Sequence, residues 1–277
     1  MKKFKIGLQL FSIRDEMEKD MDAALKQVKE MGYDCVEFAG YFGHTAEEVR
    51  AMLDKYGLEC VSVHQTPQLF LEEGQKAVDY LKTIGAKYCA IPHYDVNKLA
   101  GTPEWEKTVD AFTQVGKLLS ENGIQQLYHN HDFEFNKFED KFLLDWIYET
   151  IPAEYLQPQV DTCWVHYAGY DPAEYLMKYA GRIKVVHLKD FVCTKLGSGP
   201  VYALIGKDGK EEKKASKEDN GFAFRPVGYG IQDMPAILDA AEKAGAEIVI
   251  VEQDSSDERP PMEAAKMSRE YLSTLGL

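Results

Sequence analysis

Six stretches of this chain share one arrangement: a helical run, a glycine, two or three residues, then a β-rich run. They are KEMGYDCVEF, DKYGLECVSV, KTIGAKYCAI, SENGIQQLYH, KYAGRIKVVH and EKAGAEIVIV, with Gly32, Gly57, Gly85, Gly123, Gly181 and Gly245 at the junctions. A glycine there suits a helix end, where the chain must enter the left-handed region. The run that follows is short, apolar and bounded by polar residues, as expected of a strand covered on both faces. FKIGLQL adds a strand with no helix before it, and YLQPQVDT adds another after FLLDWIYETIP, where Pro152 and Pro158 stop the helix. The tally is eight strands, near 4–10, 34–38, 59–64, 88–93, 125–130, 157–161, 183–188 and 247–252. Runs such as TAEEVRAMLDKY and DMPAILDAAEKA fill the gaps with apolar residues at helical spacing, and PMEAAKMSREYLSTL closes the chain as a helix.

Eight β/α units in 277 residues predict an α/β chain folded as one (β/α)8 barrel, a TIM barrel, spanning residues 1–277. A doubly wound open sheet would carry a Gly-rich phosphate loop after its first strand, and GLQLFSIRD has none. Residues 191–226 break the rhythm after strand seven: they are long, polar and rich in Gly and Lys. Within them VYALIGKDGKEE reads as a hairpin with an Asp-Gly turn. Such an insertion rises from the C-terminal face of the barrel, either as a lid or partner contact or as a disordered surface loop.

Composition narrows the function. A net charge of −14 opposes nucleic-acid binding, which needs basic surface, and disfavours anionic membranes. It leaves room for a small anionic substrate beside a local cationic cluster. No run approaches the ~18 apolar residues of a membrane span. MKKFKIGLQL lacks the long apolar run and cleavage site of a signal peptide, so the expected compartment is the cytoplasm. The five cysteines, Cys35, Cys60, Cys89, Cys163 and Cys193, are widely spaced with no C-x-x-C, which argues against disulfides and a thiolate zinc site.

Active sites of such barrels lie at the C-terminal strand ends. Read in order, those ends carry Gln9, Glu37, His64, His93, His129 with His131, Asp161, His187 with Lys189, and Glu252 with Gln253. Five of the seven histidines fall on this rim. Asp161 in QVDTCW also suits a helix cap. Glu252 directly follows the apolar IVIV, and a carboxylate at the end of a buried strand needs a cation or donors. His129, Asp161, His187 and Glu252, one from each of strands five to eight, form the expected ligand set for one divalent metal ion. Two imidazoles with two carboxylates suit Mn, Zn, Fe or Co, with Mn or Zn favoured; more oxygen-rich sets suit Mg. In YHNH, His131 shares parity with His129, so one imidazole is placed to bind metal and the other to take a proton. Glu134 is expected to orient a histidine, to act in acid/base chemistry or to begin the next helix.

The motifs GLQLFSIRD, YHNHDFEF, VDTCW, VVHLKD, VGYGIQD and IVEQD together resemble the xylose-isomerase-like barrel superfamily over nearly the whole chain. That group holds sugar-phosphate isomerases and epimerases, inosose dehydratases and apurinic-site endonucleases. The resemblance implies a barrel with one divalent metal at the strand ends, carried here by His129, Asp161, His187 and Glu252. Ketose 3-epimerases of the group use Glu where this chain has His129, and a His where it has Trp164. The dehydratase branch has a histidine-rich fifth strand closer to YHNH, and a branch cleaving keto-C-glycosides is similar in motif style.

The carbohydrate branches share one step: a base removes a proton beside a metal-polarised carbonyl, giving a metal-stabilised enediolate. The expected activity is therefore a sugar or sugar-phosphate isomerase or epimerase. The alternatives are a lyase, of the inosose-dehydratase or C-glycoside-cleaving type, and a sugar-binding barrel or subunit without catalysis. His131 is the expected base, Glu252 a ligand that also accepts a proton, and Lys189 a support for a substrate oxygen. A salt bridge to Asp190 or to a rim carboxylate is the other reading of Lys189. His64, His93, Gln253, Arg225 and Trp164 are the expected substrate contacts, with Phe11 and Tyr94 as further walls. The expected ligand is a sugar, polyol or keto-sugar, and homo- or hetero-oligomers both remain open.

Overall fold

The computed structural model describes residues 4–197 and 220–277. Eight parallel strands close a barrel in sequence order: β1 (Lys5–Gln9), β2 (Cys35–Phe38), β3 (Glu59–His64), β4 (Tyr88–Ile91), β5 (Gln125–His129), β6 (Gln157–Asp161), β7 (Val185–Leu188) and β8 (Ile248–Val251). Closure is made by β8 pairing with β1, Lys5 opposite Ile248 and Leu8 opposite Val251. The glycines behave as the repeated unit requires. Gly57, Gly85 and Gly245 end their helices in the left-handed region. Helices such as Ala46–Tyr56 and Met234–Ala244 bury one apolar stripe against the outer face of the strands. That outer layer is the main core. No helix among the described residues is long and apolar enough to cross a membrane. The cysteines are free; four are buried, as small hydrophobes in a core are.

The barrel interior has two storeys. The lower is an apolar plug of Cys35, Val61, Ala90, Leu127, Val185, Ile248 and Ile250. Gly7 belongs here because a Cβ would sit 2.4 Å from Ile250 Cδ1. Gly7→Val is accordingly expected to destabilise the fold by about 1–3 kcal/mol through overpacking, read from urea unfolding. The upper storey is polar and faces the C-terminal mouth. Strand alternation builds it: the residue two beyond each plug residue points inward again, one step nearer the rim.

β3 departs from simple alternation. Its register against β2 slips between Val36 and Glu37, so that Val36 faces Cys60 while Glu37 faces Ser62. The irregularity resets the parity of β3. Val61 packs in the plug, yet Val63 packs outward under the helices and His64 turns inward.

The flanks of the 191–226 insertion form a short antiparallel ladder, Asp190–Val192 against Ala223–Arg225. Phe191, Phe222, Phe224, Trp164 and Tyr167 pack together at its base. The hairpin expected at VYALIGKDGKEE lies outside the described residues. Asp190, fully buried, organises the return of the chain. It accepts the backbone N–H groups of Phe191, Gly228, Gly230 and Gln232 at 2.9–3.3 Å. Asp190→Ala orphans these donors and is expected to cost roughly 3 kcal/mol or more. A chemical-denaturation midpoint shift would measure it.

Candidate active site at the barrel mouth

Parity carries the site. β5 places Leu127 in the plug and His129 above it; β7 places Val185, then His187 and Lys189; β8 places Ile250, then Glu252 and Asp254. β6 delivers Gln159 and then Asp161. His129, Asp161, His187 and Glu252 each offer one ligand atom, and these atoms lie within 4.8 Å of one another. His187 Nδ1 is 3.0 Å from Glu252 Oε2, and His129 Nε2 is 3.6 Å from Asp161 Oδ2. All four side chains are buried. Asp161 also serves as the cap the sequence allowed, since its Oδ1 accepts the Cys163 N–H at 2.8 Å. Its Oδ2 turns to the cluster, where the Lys189 ammonium stands at 2.9 Å. Two carboxylate oxygens and two imidazole nitrogens converging in a buried site call for a cation. The set fits one divalent ion of the Mn, Zn, Fe or Co kind.

The ionisation pattern agrees with this fit. Burial pushes the Asp161 carboxyl up to about 6 against the pull of Lys189. Burial raises Glu252 too, but Lys189 and His187 outweigh it and hold the carboxyl well below its usual range. Burial depresses His187, but Glu37 and Glu252 overcome it and lift the imidazole to about 10. His129 is driven well below the usual histidine value by burial and by the positive charge of His187 nearby. Without metal, His187 therefore carries a proton that an incoming ion must displace.

Lys189 lies among three carboxylates, Asp161 Oδ2 at 2.9 Å, Glu252 Oε2 at 2.8 Å and Asp254 Oδ1 at 3.0 Å. These are rim carboxylates; Asp190, the other expected partner, is committed to the loop beyond. His131 stacks on Phe133 with ring centroids 5.4 Å apart and meets His129 and His93 edge-on. Burial and the neighbouring Lys189 and His93 hold its pKa well below the histidine norm, so it is a neutral imidazole. Glu134 acts on the backbone that carries that ring. It accepts the His131 backbone N–H at 2.8 Å and the Tyr128 hydroxyl at 2.7 Å, fixing the loop that carries the imidazole.

A cavity of about 290 Å³ opens above the cluster, lined by His64, His129, His131, Lys189, Glu252 and Asp254 with Phe11 at the edge. Its size is at the low end for small-molecule sites. A larger groove of about 570 Å³ runs between Lys137, Trp146 and Lys178. That groove lies outside the barrel, away from the cluster at the strand ends.

Several expected contacts fall elsewhere. Gln253 is adjacent to Glu252, so the alternation turns it outward; its amide donates to Ser255 O at 2.9 Å, behind the wall. Arg225 is engaged by Glu258 at 2.8 Å and by the Phe224 carbonyl at 2.9 Å, and does not line the cavity. Trp164 is fully buried and supports the site from behind, with Lys189 Nζ 5.1 Å over its ring. β4 stops at Ile91, before Pro92, which leaves His93 beyond the strand and exposed at the rim. Tyr94 packs edge-on against Phe112. Conversely, the strand-end reading does not name Asp254 or Gln159, and it gives Gln9 and Glu37 no role beyond their place at strand ends. Glu37 lies at the floor of the cluster, 2.6 Å from His187 Nε2 and 3.0 Å from His64 Nε2.

With this geometry established, the chain can be set beside known proteins. It is 28% identical to an inosose dehydratase of Geobacillus kaustophilus (strain HTA426), over 98% of this chain and 94% of the relative. A solved sugar phosphate isomerase/epimerase from Parabacteroides distasonis ATCC 8503 superposes with a TM-score of 0.75 at 23% identity, covering 97% of both chains. The IOLI protein, solved with a bound zinc atom, superposes with a TM-score of 0.71 at 17% identity over 98% of both chains. At these identities the structural matches speak for the fold. A family model described as the xylose isomerase-like TIM barrel matches residues 25–275, and this chain belongs to that family.

Proposed function

We propose that the protein is a metal-dependent carbohydrate lyase that removes water from an uncharged keto-polyol, in the manner implied by relatives named inosose dehydratase. One observation carries the choice over an epimerase: beside the ligand set the cavity offers the neutral imidazole of His131 and the ammonium of Lys189, where an epimerase carries two facing glutamates. An epimerase needs a base on each face of one carbon. A dehydratase needs a base for the C–H and an acid for the departing hydroxyl.

His129, Asp161, His187 and Glu252 would hold a divalent ion, which would supply Lewis-acid polarisation of the substrate carbonyl. The chain's own residues do the rest. The His131 imidazole takes the proton from the carbon beside the carbonyl. The electron pair of that C–H bond becomes a C=C bond as the C–O bond to the β-hydroxyl breaks. Lys189 Nζ, held in place by Asp254 and Glu252, gives its proton to the departing oxygen, which leaves as water. Solvent exchange returns both groups to their starting state. Phe11, 37% exposed at the mouth, offers an apolar face to a sugar ring.

Charge favours an uncharged substrate. Among the described residues lining the cavity, Lys189 is the one permanent cation, and three carboxylates already surround it. A phosphate ester would meet Glu252 and Asp254, and apart from the proposed metal ion the cation among the described lining residues, Lys189, is already engaged by carboxylates.

The test is to supply an inosose and follow water loss through the absorbance of the conjugated ketone. Loss of water supports the reading. Formation of an epimer or isomer with deuterium uptake but no water loss would assign the isomerase chemistry instead. Lys189→Met is expected to cut kcat by about 10²-fold while solvent deuterium still exchanges at the acidic carbon, since acid and base catalysis are then uncoupled.

A further inference from the structure

Below the four converging donors lies a buried polar frame that the proposed chemistry does not use. Glu37 is fully buried, and its carboxylate is met by two histidines and two glutamine amides. Its Oε1 accepts from Gln9 Nε2 at 2.8 Å, His187 Nε2 at 2.6 Å and His64 Nε2 at 3.0 Å. Its Oε2 accepts from Gln159 Nε2 at 2.7 Å. Gln159 Oε1 in turn faces His129 Nδ1 at 3.2 Å and His64 Nε2 at 2.9 Å.

The chemistry of these atoms fixes several orientations. An ionised carboxylate only accepts, so the His187 nitrogen facing it must carry hydrogen. The other nitrogen, Nδ1, is the one beside Glu252. Gln159 must present its NH₂ to Glu37, which forces its carbonyl oxygen toward the histidines. That oxygen only accepts, so His129 Nδ1 carries hydrogen and Nε2, beside Asp161, is left with its lone pair. Gln9 is held the same way, with its Oε1 taken by the Phe11 N–H at 3.0 Å. One carboxylate thus orients one imidazole directly and the other through an amide. The parity reset in β3 contributes by turning His64 into the frame.

We propose that Glu37 is the positioning residue of the metal centre: it sets Nδ1 of His187 and, through Gln159, Nε2 of His129 as the two nitrogens offered to the ion. The inference rests on the proposed four-residue metal site. A partner of this kind behind a ligand typically governs metal affinity by 10–100-fold.

The experiment has two arms on the full-length protein. In the first, wild-type protein labelled with ¹⁵N-histidine and loaded with zinc is examined by long-range ¹H–¹⁵N correlation. The expected pattern is His187 protonated at Nε2 and His129 protonated at Nδ1. The opposite tautomer at His187 would overturn the proposal outright. In the second, zinc affinity is measured by chelator competition for Glu37→Gln, Glu37→Asp and Gln159→Leu. Glu37→Gln is expected to weaken zinc binding about 10–100-fold. Glu37→Asp should recover part of that loss, and Gln159→Leu should disturb the His129 and His64 signals while His187 stays protonated at Nε2. A purely structural role would lower the melting temperature of Glu37→Gln yet leave zinc affinity and both tautomers unchanged, and would refute the proposal. If Glu37→Gln does not fold, the wild-type spectrum and Gln159→Leu still decide. Failure of wild-type protein to bind zinc at the four residues would instead remove the metal site itself, a distinguishable result.

Discussion

Asp161→Asn is expected to lower metal affinity by orders of magnitude and turnover by about 10³-fold or more, with the fold intact. The Lewis-acid contribution of a bound ion is several kcal/mol, and about 4 kcal/mol corresponds to 10³ in rate. The substitution removes one anionic ligand without changing shape. Local structure should persist because Asn130 grips the Asp161 backbone: its Oδ1 accepts the Asp161 N–H at 2.9 Å and its Nδ2 donates to the Asp161 carbonyl at 3.3 Å. The cap on Cys163 N needs only an oxygen, which Asn retains. Wild-type affinity should also depend on pH in a defined sense. Because His187 holds its proton up to about 10, each ion bound displaces one proton below that pH. Affinity should rise about tenfold per pH unit between roughly 7 and 9, and more steeply below about 6, where Asp161 also becomes protonated. Isothermal titration in buffers of different ionisation enthalpy would count the protons.

His131→Gln is expected to reduce kcat by about 10²–10⁴-fold while the protein still binds one metal ion. The two variants separate by readout. Asp161→Asn loses metal; His131→Gln keeps metal and loses deuterium exchange at the substrate carbon. Stability should change little, because Glu134 holds this loop through the backbone N–H of residue 131, which the substitution keeps. The wild-type rate should have no acid limb in the ordinary histidine range, since burial and Lys189 keep His131 neutral well below it. Activity retained within a few-fold in His131→Gln would remove this residue from the base role.

The barrel was legible because its repeat is local: a glycine in the left-handed region followed by a doubly covered strand marks each turn, as at Gly57 and Gly245. The converging cluster was legible for the same reason, since His129, His187 and Glu252 each follow an apolar run whose parity fixes their direction. The same rule carried two steps further points to Asp254, which shares parity with Glu252, and it excludes Gln253, which does not. Cys35 in the plug points equally to Glu37 on the floor above it. What no local pattern supplies is the slip in β3, because the break in pairing appears only against β2. His64 therefore faces inward against the parity of Val61. Trp164 and Arg225 mislead in another way: each is a sound sugar-binding residue type, but packing on Phe222 and an ion pair with Glu258 hold them elsewhere.

The most direct measurement is anomalous diffraction at the metal absorption edge from crystals grown with saturating divalent metal. The account predicts one strong peak about 2.0–2.3 Å from His129 Nε2, Asp161 Oδ2, His187 Nδ1 and Glu252 Oε2 together. A mouth without a peak under those conditions, or a peak bound by a different set of side chains, would contradict it.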